Sequence, residues 1–249
     1  TYMGSTLGPM RGRDGNVHRG RPREGLLPMI SHLGSLIPVV NGMLMARKMQ
    51  GRLGSVGATC LGDGGTSTGA FHEAINQAAV EKLPLVMVVA NNRFAYSTPT
   101  SRQFVCEDLV DKSKGYGVRG HSVDGTDLGD CLLKVGNAID LARSGDGPQL
   151  VVASLLRLCG HGEHDDASYI PNDLKQSPCG RDCLQSAEDV ILERGWGSRA
   201  GFVEMRRKIL EELDAAVAKV QREPVPDPFG ETWVALSSKD LLELHSNTP

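Results

Sequence analysis

The most regular pattern of hydrophobic and polar residues lies in the middle of the chain, between residues 55 and 100. Residues 55–61 form a short apolar run, and residues 85–90 form a second one that is rich in valine. Between them, apolar positions recur every three or four residues, at Phe71, Ala74, Ile75, Ala78, Ala79 and Leu83. This spacing is typical of a buried helix face, and a valine-rich run is typical of a parallel strand covered on both faces. The stretch therefore predicts a strand, a helix over residues 67–83 and a parallel second strand.

Further elements of the same kind flank this unit. A third strand is predicted over residues 118–123, which end at Asp124-Gly125, and a fourth over the apolar run of residues 150–156. Helical spacing predicts a buried helix over residues 30–49, and a helix over residues 128–143 with Leu132, Val135, Ile139 and Ala142 pointing inward. Strands that alternate with helices predict an α/β fold, with a parallel sheet flanked by helices.

The pattern changes near residue 186. A start that resembles a capping box opens one helix there, and a long amphipathic helix follows over residues 200–221, with prolines after it. We expect an α/β domain over residues 1–185, and C-terminal helices with a tail over residues 186–249.

Composition narrows the classes of partner. A net charge of −3 gives no reason to expect nucleic acid or an anionic membrane surface, and the longest apolar run is too short to span a bilayer. The six cysteines are scattered without a CxxC pair, so we expect reduced thiols in a cytoplasmic protein rather than a zinc site. The chain starts at Thr1 in a glycine-rich loop, without methionine, and we expect that an amino-terminal part precedes it.

The first candidate site lies at the ends of the two central strands. Asp63 follows the first strand among Gly62, Gly64 and Gly65, and Asn92 follows the second. A carboxylate, an amide and the backbone carbonyl of Phe94 are oxygen ligands of the kind that Mg²⁺ prefers. The helix that starts beside them directs free N–H groups at the same place. This arrangement indicates a metal-held diphosphate, whereas the alternative reading is that both clusters are plain turns.

The second candidate site follows the strand over residues 150–156. It contains His161, Glu163, His164, Asp165 and Asp166. One interpretation is a histidine that transfers a proton or contacts a phosphate. The competing interpretation is a metal-dependent hydrolase centre built from His161, His164 and Asp165.

Two longer stretches carry a resemblance to a known family. Gly62-Asp63-Gly64 followed by Asn91-Asn92 is the pattern of thiamin-diphosphate-dependent enzymes. Residues 69–84 and 91–101 are similar to the alpha subunit of the decarboxylating first component of 2-oxo acid dehydrogenase complexes. The resemblance covers nearly the whole chain and implies a thiamin-diphosphate-binding fold.

The resemblance assigns roles by position. It implies that Asp63, Asn92 and the Phe94 carbonyl bind Mg²⁺. Cofactor-contacting residues would be Gly62, Gly64 and Gly65 at the diphosphate, Ser31 and Leu33 at the aminopyrimidine ring, and His161. His161 and His18 would be the catalytic histidines at the reacting end, with His164 as a rival to His161.

The implied activity is decarboxylation of a 2-oxo acid and transfer of the acyl group to a lipoyl carrier. The implied partners are a beta subunit, in a heterotetramer of two alpha and two beta chains, and a lipoyl-bearing acyltransferase core. The substrate class stays open among pyruvate, branched-chain 2-oxo acids and acetoin, and a non-catalytic cofactor-binding subunit remains an alternative.

Three features depart from the family pattern. The family's phosphate-contacting Tyr-Arg pair would lie upstream of Thr1. Ala90 stands where some members have an arginine, and Arg93 stands where glycine is usual after the paired asparagines. The first two departures predict weaker binding of the diphosphate by this chain.

Overall fold

A computed structural model of the chain describes residues 2–8, 12, 18, 20 and 24–227. Contacts group the chain into two units. One unit comprises Thr1–Met29 with Arg206–Pro249, and the other comprises Ile30–Met205. Among the described residues, no helix combines the length and the apolar character needed to cross a membrane. The predicted domain boundary at residue 185 stays a prediction.

The Ile30–Met205 unit contains a four-stranded parallel sheet. The strands among the described residues are β1 Gly57–Gly62, β2 Leu85–Asn91, β3 Phe94–Ala95, β4 Thr98–Pro99, β5 Arg119–Asp124 and β6 Gln149–Ser154. The sheet order is β1-β2-β6-β5, and β3 pairs with β4 as a separate antiparallel hairpin. The helices are α1 Leu36–Met49, α2 Gly69–Val80, α3 Lys112–Gly115, α4 Leu128–Arg143, α5 Asn172–Lys175, α6 Cys183–Glu193 and α7 Arg199–Gln221. The predicted α/β fold with a parallel sheet flanked by helices is confirmed.

Strand β2 lies in the middle of the core because successive side chains of a strand point to opposite faces. Leu85, Met87 and Val89 pack with α1 and α2, through residues that include Ile37 and Phe71. On the other face, Val86 packs with Ala138 and Ala142 of α4 and with Val151 of β6. This two-sided burial is what the continuous apolar run predicted.

Two helices begin later than their patterns predicted. Helix α1 begins at Leu36 rather than at residue 30, because Gly34 has a φ of +76° and turns the chain before the helix. Helix α2 begins at Gly69, with Thr68 as its N-cap. The Thr68 hydroxyl oxygen accepts the N–H of Phe71, which satisfies one of the free donors at the start of α2.

One residue that was predicted to point inward on α4 is exposed, and α7 exposes its apolar stripe. Leu132 of α4 is 67% exposed, since the small residues Ala138 and Ala142 form the buried face of this helix. On α7, large apolar side chains are exposed at Met205, Ile209, Leu213 and Val217. The described residues therefore leave an apolar stripe of α7 uncovered.

Candidate cofactor site

The carboxyl ends of β1 and β2 lie side by side. Gly62, the last residue of β1, pairs with Ala90, and Asn91 at the end of β2 pairs with Ser154 of β6. Asp63 and Asn92 are the next residues along the chain, so both leave the same edge of the sheet. In open parallel sheets this edge is where ligands bind.

Asp63 is a buried carboxylate with only one of its two oxygens paired. It starts a short 3-10 helix, Asp63–Ser67, and is 1% exposed. Its Oδ2 accepts a hydrogen bond of 2.7 Å from Nε2 of Gln103. Its Oδ1 makes no hydrogen bond with any described residue. A carboxylate oxygen without a hydrogen bond in this part of the chain is the kind of ligand that Mg²⁺ prefers.

Asn92 shapes the turn that leads into the β3–β4 hairpin. Its Oδ1 accepts the N–H of Phe94 at 3.1 Å, and the residue between them, Arg93, has a φ of +68°. The N–H of Thr100 donates to the carbonyl of Arg93 at 3.0 Å, so that pair is hydrogen-bonded across the hairpin. Because such pairs alternate along an antiparallel ladder, the Phe94 carbonyl faces away from its partner Pro99. This alternation predicts that the Phe94 carbonyl is available to another ligand.

The glycines after Asp63 allow the hairpin to approach closely. A Cβ on Gly64 would lie 2.6 Å from Cβ of Ala95, and a Cβ on Gly65 would lie 3.1 Å from Cδ1 of Leu61. By contrast, a Cβ on Gly62 would meet nothing within 4 Å. Gly64 thus brings the Asp63 turn against the hairpin that carries Phe94.

Lys112 contacts the turn that follows Asp63. Its Nζ donates to the carbonyl of Thr66 at 2.8 Å and lies 4.9 Å from the centroid of the Phe104 ring. Burial lowers the pKa of this lysine. The Thr66 hydroxyl in turn donates to the backbone carbonyl of Asp63 at 2.7 Å. These contacts hold the backbone of Asp63 in place.

The His161 loop packs on the other side of the β3–β4 hairpin. Phe94 shares a buried cluster with Leu156 and Ile170, which flank this loop. The ring of Tyr96 lies 5.2 Å from that of His161, and its hydroxyl lies 3.2 Å from Nε2 of His164. Both histidines are exposed. The structure thus joins the two candidate sites through the hairpin.

A polar network fixes the backbone of the His161 loop. Arg157 donates to the Tyr96 carbonyl at 2.6 Å and to the Tyr169 hydroxyl at 2.9 Å. The Tyr169 hydroxyl donates to Asp165, which also accepts the backbone N–H of His161 at 2.6 Å. That backbone bond is the main reason why the pKa of Asp165 is lowered to about 2.

The two residues predicted to contact the aminopyrimidine ring lie before α1. Ser31 and Leu33 are exposed and belong to the bends and turns of residues 31–35, not to the first helical turn. A Cβ on the neighbouring Gly34 would lie 2.7 Å from the Thr68 hydroxyl and 3.4 Å from the carbonyl of Gly65. This segment therefore runs beside the glycine turn. His18 belongs to the other unit, and its role stays a prediction.

Comparisons with known proteins agree with this geometry. The family model described as "Dehydrogenase E1 component" matches residues 2–229. The chain belongs to the dehydrogenase E1 component family. Enzymes of this family are oxidoreductases that depend on thiamin diphosphate and a metal ion, typically Mg²⁺. The predicted family and cofactors are therefore confirmed.

Individual relatives of this E1 chain come from several bacteria. The alpha subunit of acetoin:2,6-dichlorophenolindophenol oxidoreductase from Cupriavidus necator is 31% identical over 226 residues, which cover 90% of this chain and 68% of the relative. The 2-oxoisovalerate dehydrogenase alpha subunit of Bacillus subtilis is 30% identical and covers 90% and 67%. The pyruvate dehydrogenase E1 alpha subunit of Rickettsia bellii is 27% identical and covers 90% and 69%.

The hydrolase interpretation gains no support from this E1 chain. Across the part of the chain that the structure describes, no three His, Cys, Asp or Glu side chains come together as metal ligands. His164 bonds to Tyr96, and Asp165 is occupied by backbone and tyrosine donors. The six cysteines have free thiols.

Several residues of the site of this E1 chain were not predicted from the sequence. They are Gln103, Lys112, Tyr96, Arg157 and Tyr169. Gln103 and Lys112 follow the hairpin in a stretch without a clear period, and only the folded chain brings them back to Asp63 and Thr66. The available signal was the presence of Tyr96 and Tyr169 near the two candidate sites, since a tyrosine combines an apolar ring with a hydroxyl that can form a hydrogen bond.

Proposed function

We propose that this chain is the alpha subunit of a thiamin-diphosphate-dependent 2-oxo acid dehydrogenase. In this proposal Asp63, Asn92 and the carbonyl of Phe94 hold Mg²⁺ and, through it, the diphosphate. The observation that carries the proposal is that Asp63, which is buried, and Asn92 follow the carboxyl ends of the neighbouring strands β1 and β2, where the Gly64 turn lies against the hairpin that carries Phe94. When bound, thiamin diphosphate supplies the electron sink for loss of carbon dioxide from a 2-oxo acid.

The residues of this chain would bind and orient the cofactor and substrate. Gly62, Gly64 and Gly65 let the backbone approach the diphosphate, beside the start of the Asp63–Ser67 helix. Ser31 and Leu33 would contact the aminopyrimidine ring. His161 and His18 would lie at the reacting end, where a histidine can hold or move a proton.

Several partners belong to the proposal. A beta subunit would complete the site in a heterotetramer of two alpha and two beta chains, and a lipoyl-bearing acyltransferase core would take up the acyl group. The exposed apolar stripe of α7 supports a protein partner, since large uncovered apolar patches on a protein surface often mark interfaces. The bacterial relatives support a cytoplasmic location, and no nucleic acid or membrane partner is proposed.

The substrate would be a small 2-oxo acid or acetoin. The names of the relatives include pyruvate, 2-oxoisovalerate and acetoin at similar identities, so similarity does not separate these substrates. Assays of the co-expressed alpha and beta chains would identify it, by release of carbon dioxide from pyruvate or 2-oxoisovalerate, or by cleavage of the central carbon–carbon bond of acetoin with release of acetaldehyde.

Calorimetry of the alpha–beta complex with thiamin diphosphate and Mg²⁺ tests the metal site. We expect Asp63→Ala to abolish Mg²⁺-dependent binding, because it removes the carboxylate ligand. Asp173→Ala is the matched control, since this exposed aspartate belongs to α5 and not to the turns after β1 and β2. Equal binding by wild type and Asp63→Ala would refute the assignment. Normal binding of thiamin diphosphate by the wild-type complex, without turnover of pyruvate, 2-oxoisovalerate or acetoin, would instead indicate a non-catalytic cofactor-binding subunit.

A further inference from the structure

The Gln103 side chain joins the Asp63 turn to strand β4. Its Nε2 donates to Oδ2 of Asp63 at 2.7 Å and to the carbonyl of Thr98 at 3.0 Å. Both neighbours are acceptors, so the amide nitrogen must face them and the orientation of the amide is fixed. The Gln103 carbonyl accepts the hydroxyl of Ser67 at 3.0 Å, which ties its backbone to the same turn.

The other end of this amide has no partner. Oε1 of Gln103 is buried and makes no hydrogen bond within the described residues. A buried acceptor left unpaired costs about 1–3 kcal/mol. The oxygen lies near Gly64, at 3.9 Å from the position that a Cβ there would take. It is therefore beside the turn on which the diphosphate site is built.

A glutamine with a purely structural role looks different in the same chain. Gln149 is fully buried, and both ends of its amide are bonded. Its Oε1 lies 2.9 Å from Nε2 of His121, and its Nε2 donates to Asp146 and to the Gly147 carbonyl. The unpaired oxygen of Gln103 thus indicates a donor that arrives with a ligand.

We infer that Gln103 is a positioning residue of the metal site, with its Nε2 holding Asp63 and its Oε1 accepting a hydrogen bond from a water molecule on the cation. This inference rests on the proposed function. The neutral amide occupies Oδ2 and leaves Oδ1 of Asp63 for the metal. Mg²⁺ usually keeps several water ligands, which are hydrogen-bond donors. Removal of a residue that hydrogen-bonds to a metal ligand typically weakens metal binding 10–100-fold.

Binding of Mn²⁺, in place of Mg²⁺, tests this role in the alpha–beta complex with thiamin diphosphate. We expect Gln103→Met to weaken Mn²⁺ binding, followed by electron paramagnetic resonance, about 10–100-fold. Water-proton relaxation by the bound ion should also change, because its water loses an acceptor. Gln185→Met is the matched control: Gln185 likewise donates to an aspartate, Asp189, at 2.9 Å. It should bind Mn²⁺ as the wild type does.

The outcomes separate this inference from the proposed function. Failure of the wild-type complex to bind Mn²⁺ with thiamin diphosphate would overturn both. Normal wild-type binding, with Gln103→Met within twofold of it and unchanged relaxation, would overturn the role of Gln103 alone. Thermal unfolding without cation shows whether Gln103→Met folds. If Gln103→Met does not fold, Gln103→Asn takes its place, because it keeps an amide but is too short to reach Asp63. Its Mn²⁺ affinity and water-proton relaxation are then compared with those of the wild type.

Discussion

The backbone N–H of His161 donates a 2.6 Å hydrogen bond to Oδ2 of Asp165, which closes the loop after β6. The same carboxylate accepts the Tyr169 hydroxyl at 2.8 Å, and its other oxygen accepts the N–H of Ala167 at 3.0 Å. Ala167 has a φ of +54°, which is unusual for alanine. Asp165 therefore holds the backbone that presents His161.

Replacing this carboxylate should impair His161 without removing it. In Asp165→Asn the side chain keeps its size but loses its charge and one acceptor. A misplacement of about 1 Å can reduce a rate by about 100-fold, so we expect a loss of roughly 10–100-fold in decarboxylation by the alpha–beta complex. Asp166→Asn is the control, because within the described part of the chain the Asp166 carboxylate accepts a hydrogen bond from the nearby Ser168 N–H and from no residue of the site. Equal losses in both variants would contradict a specific role for Asp165.

The lowered pKa of Asp165 also predicts a dependence of stability on pH. Its carboxyl has a pKa of about 2 in the folded chain, chiefly because of the His161 N–H, against about 3.9 in an unfolded chain. The ionised form is thus favoured by folding, so its contribution is full above about pH 4 and is lost as the pH falls toward 2. Urea unfolding of wild type and Asp165→Asn should show a stability difference that is constant above pH 4 and shrinks below it. A difference that grows on acidification would contradict this sign.

Gly64 is predicted to be intolerant of a methyl group. In Gly64→Ala the new Cβ would lie 2.6 Å from Cβ of Ala95, and overpacking of this kind typically costs about 1–3 kcal/mol. Gly62→Ala should change the free energy of unfolding by less than about 0.5 kcal/mol, since its Cβ would meet no atom within 4 Å. Chemical denaturation measures both.

A second substitution shows whether the clash is the cause. Adding Ala95→Gly to Gly64→Ala removes the opposing methyl group, and we expect it to recover most of the lost stability. Strictly additive effects of the two substitutions would mean that they do not interact and that the loss has another origin.

The sheet was largely predictable from the sequence because its strands are covered on both faces. The valine-rich run of β2 has no polar face, and only a central parallel strand buries both sides of such a run. The strand order was not predictable. Strand β6 lies between β2 and β5, and its pairing with β2 joins residues that are far apart in the sequence. On α4, Val135, Ile139 and Ala142 pack toward the sheet as predicted, whereas Leu132 is exposed because Ala138 and Ala142 form the fully buried part of this face.

The site was predictable only where residues leave strand ends. Asp63 and Asn92 follow β1 and β2 directly, so local patterns were enough to place them together. Gln103 is 40 residues from Asp63 in the chain, and its amide reaches that carboxylate only because the β3–β4 hairpin folds back. The local pattern of apolar and polar residues does not show that the chain folds back and brings Gln103 to Asp63.

Arg93 is predicted to reduce the stability of the chain at the turn after the paired asparagines. Its φ of +68° lies in the left-handed region, which costs an ordinary residue roughly 1–2 kcal/mol, whereas glycine enters it freely but loses about 0.5–1 kcal/mol of backbone entropy on folding. Arg93→Gly should therefore raise the free energy of unfolding by about 0.5–1 kcal/mol.

Arg102→Gly is the matched control for this substitution. Arg102 is also an exposed arginine near the hairpin, but it ends the 3-10 helix Thr100–Arg102 and is not among the residues with positive φ. Glycine there adds only flexibility, so we expect a loss of about 0.5–1 kcal/mol. Thermal or urea unfolding of the two variants should thus give changes of opposite sign. A loss of stability in Arg93→Gly would mean that the arginine side chain makes a contribution larger than the backbone strain.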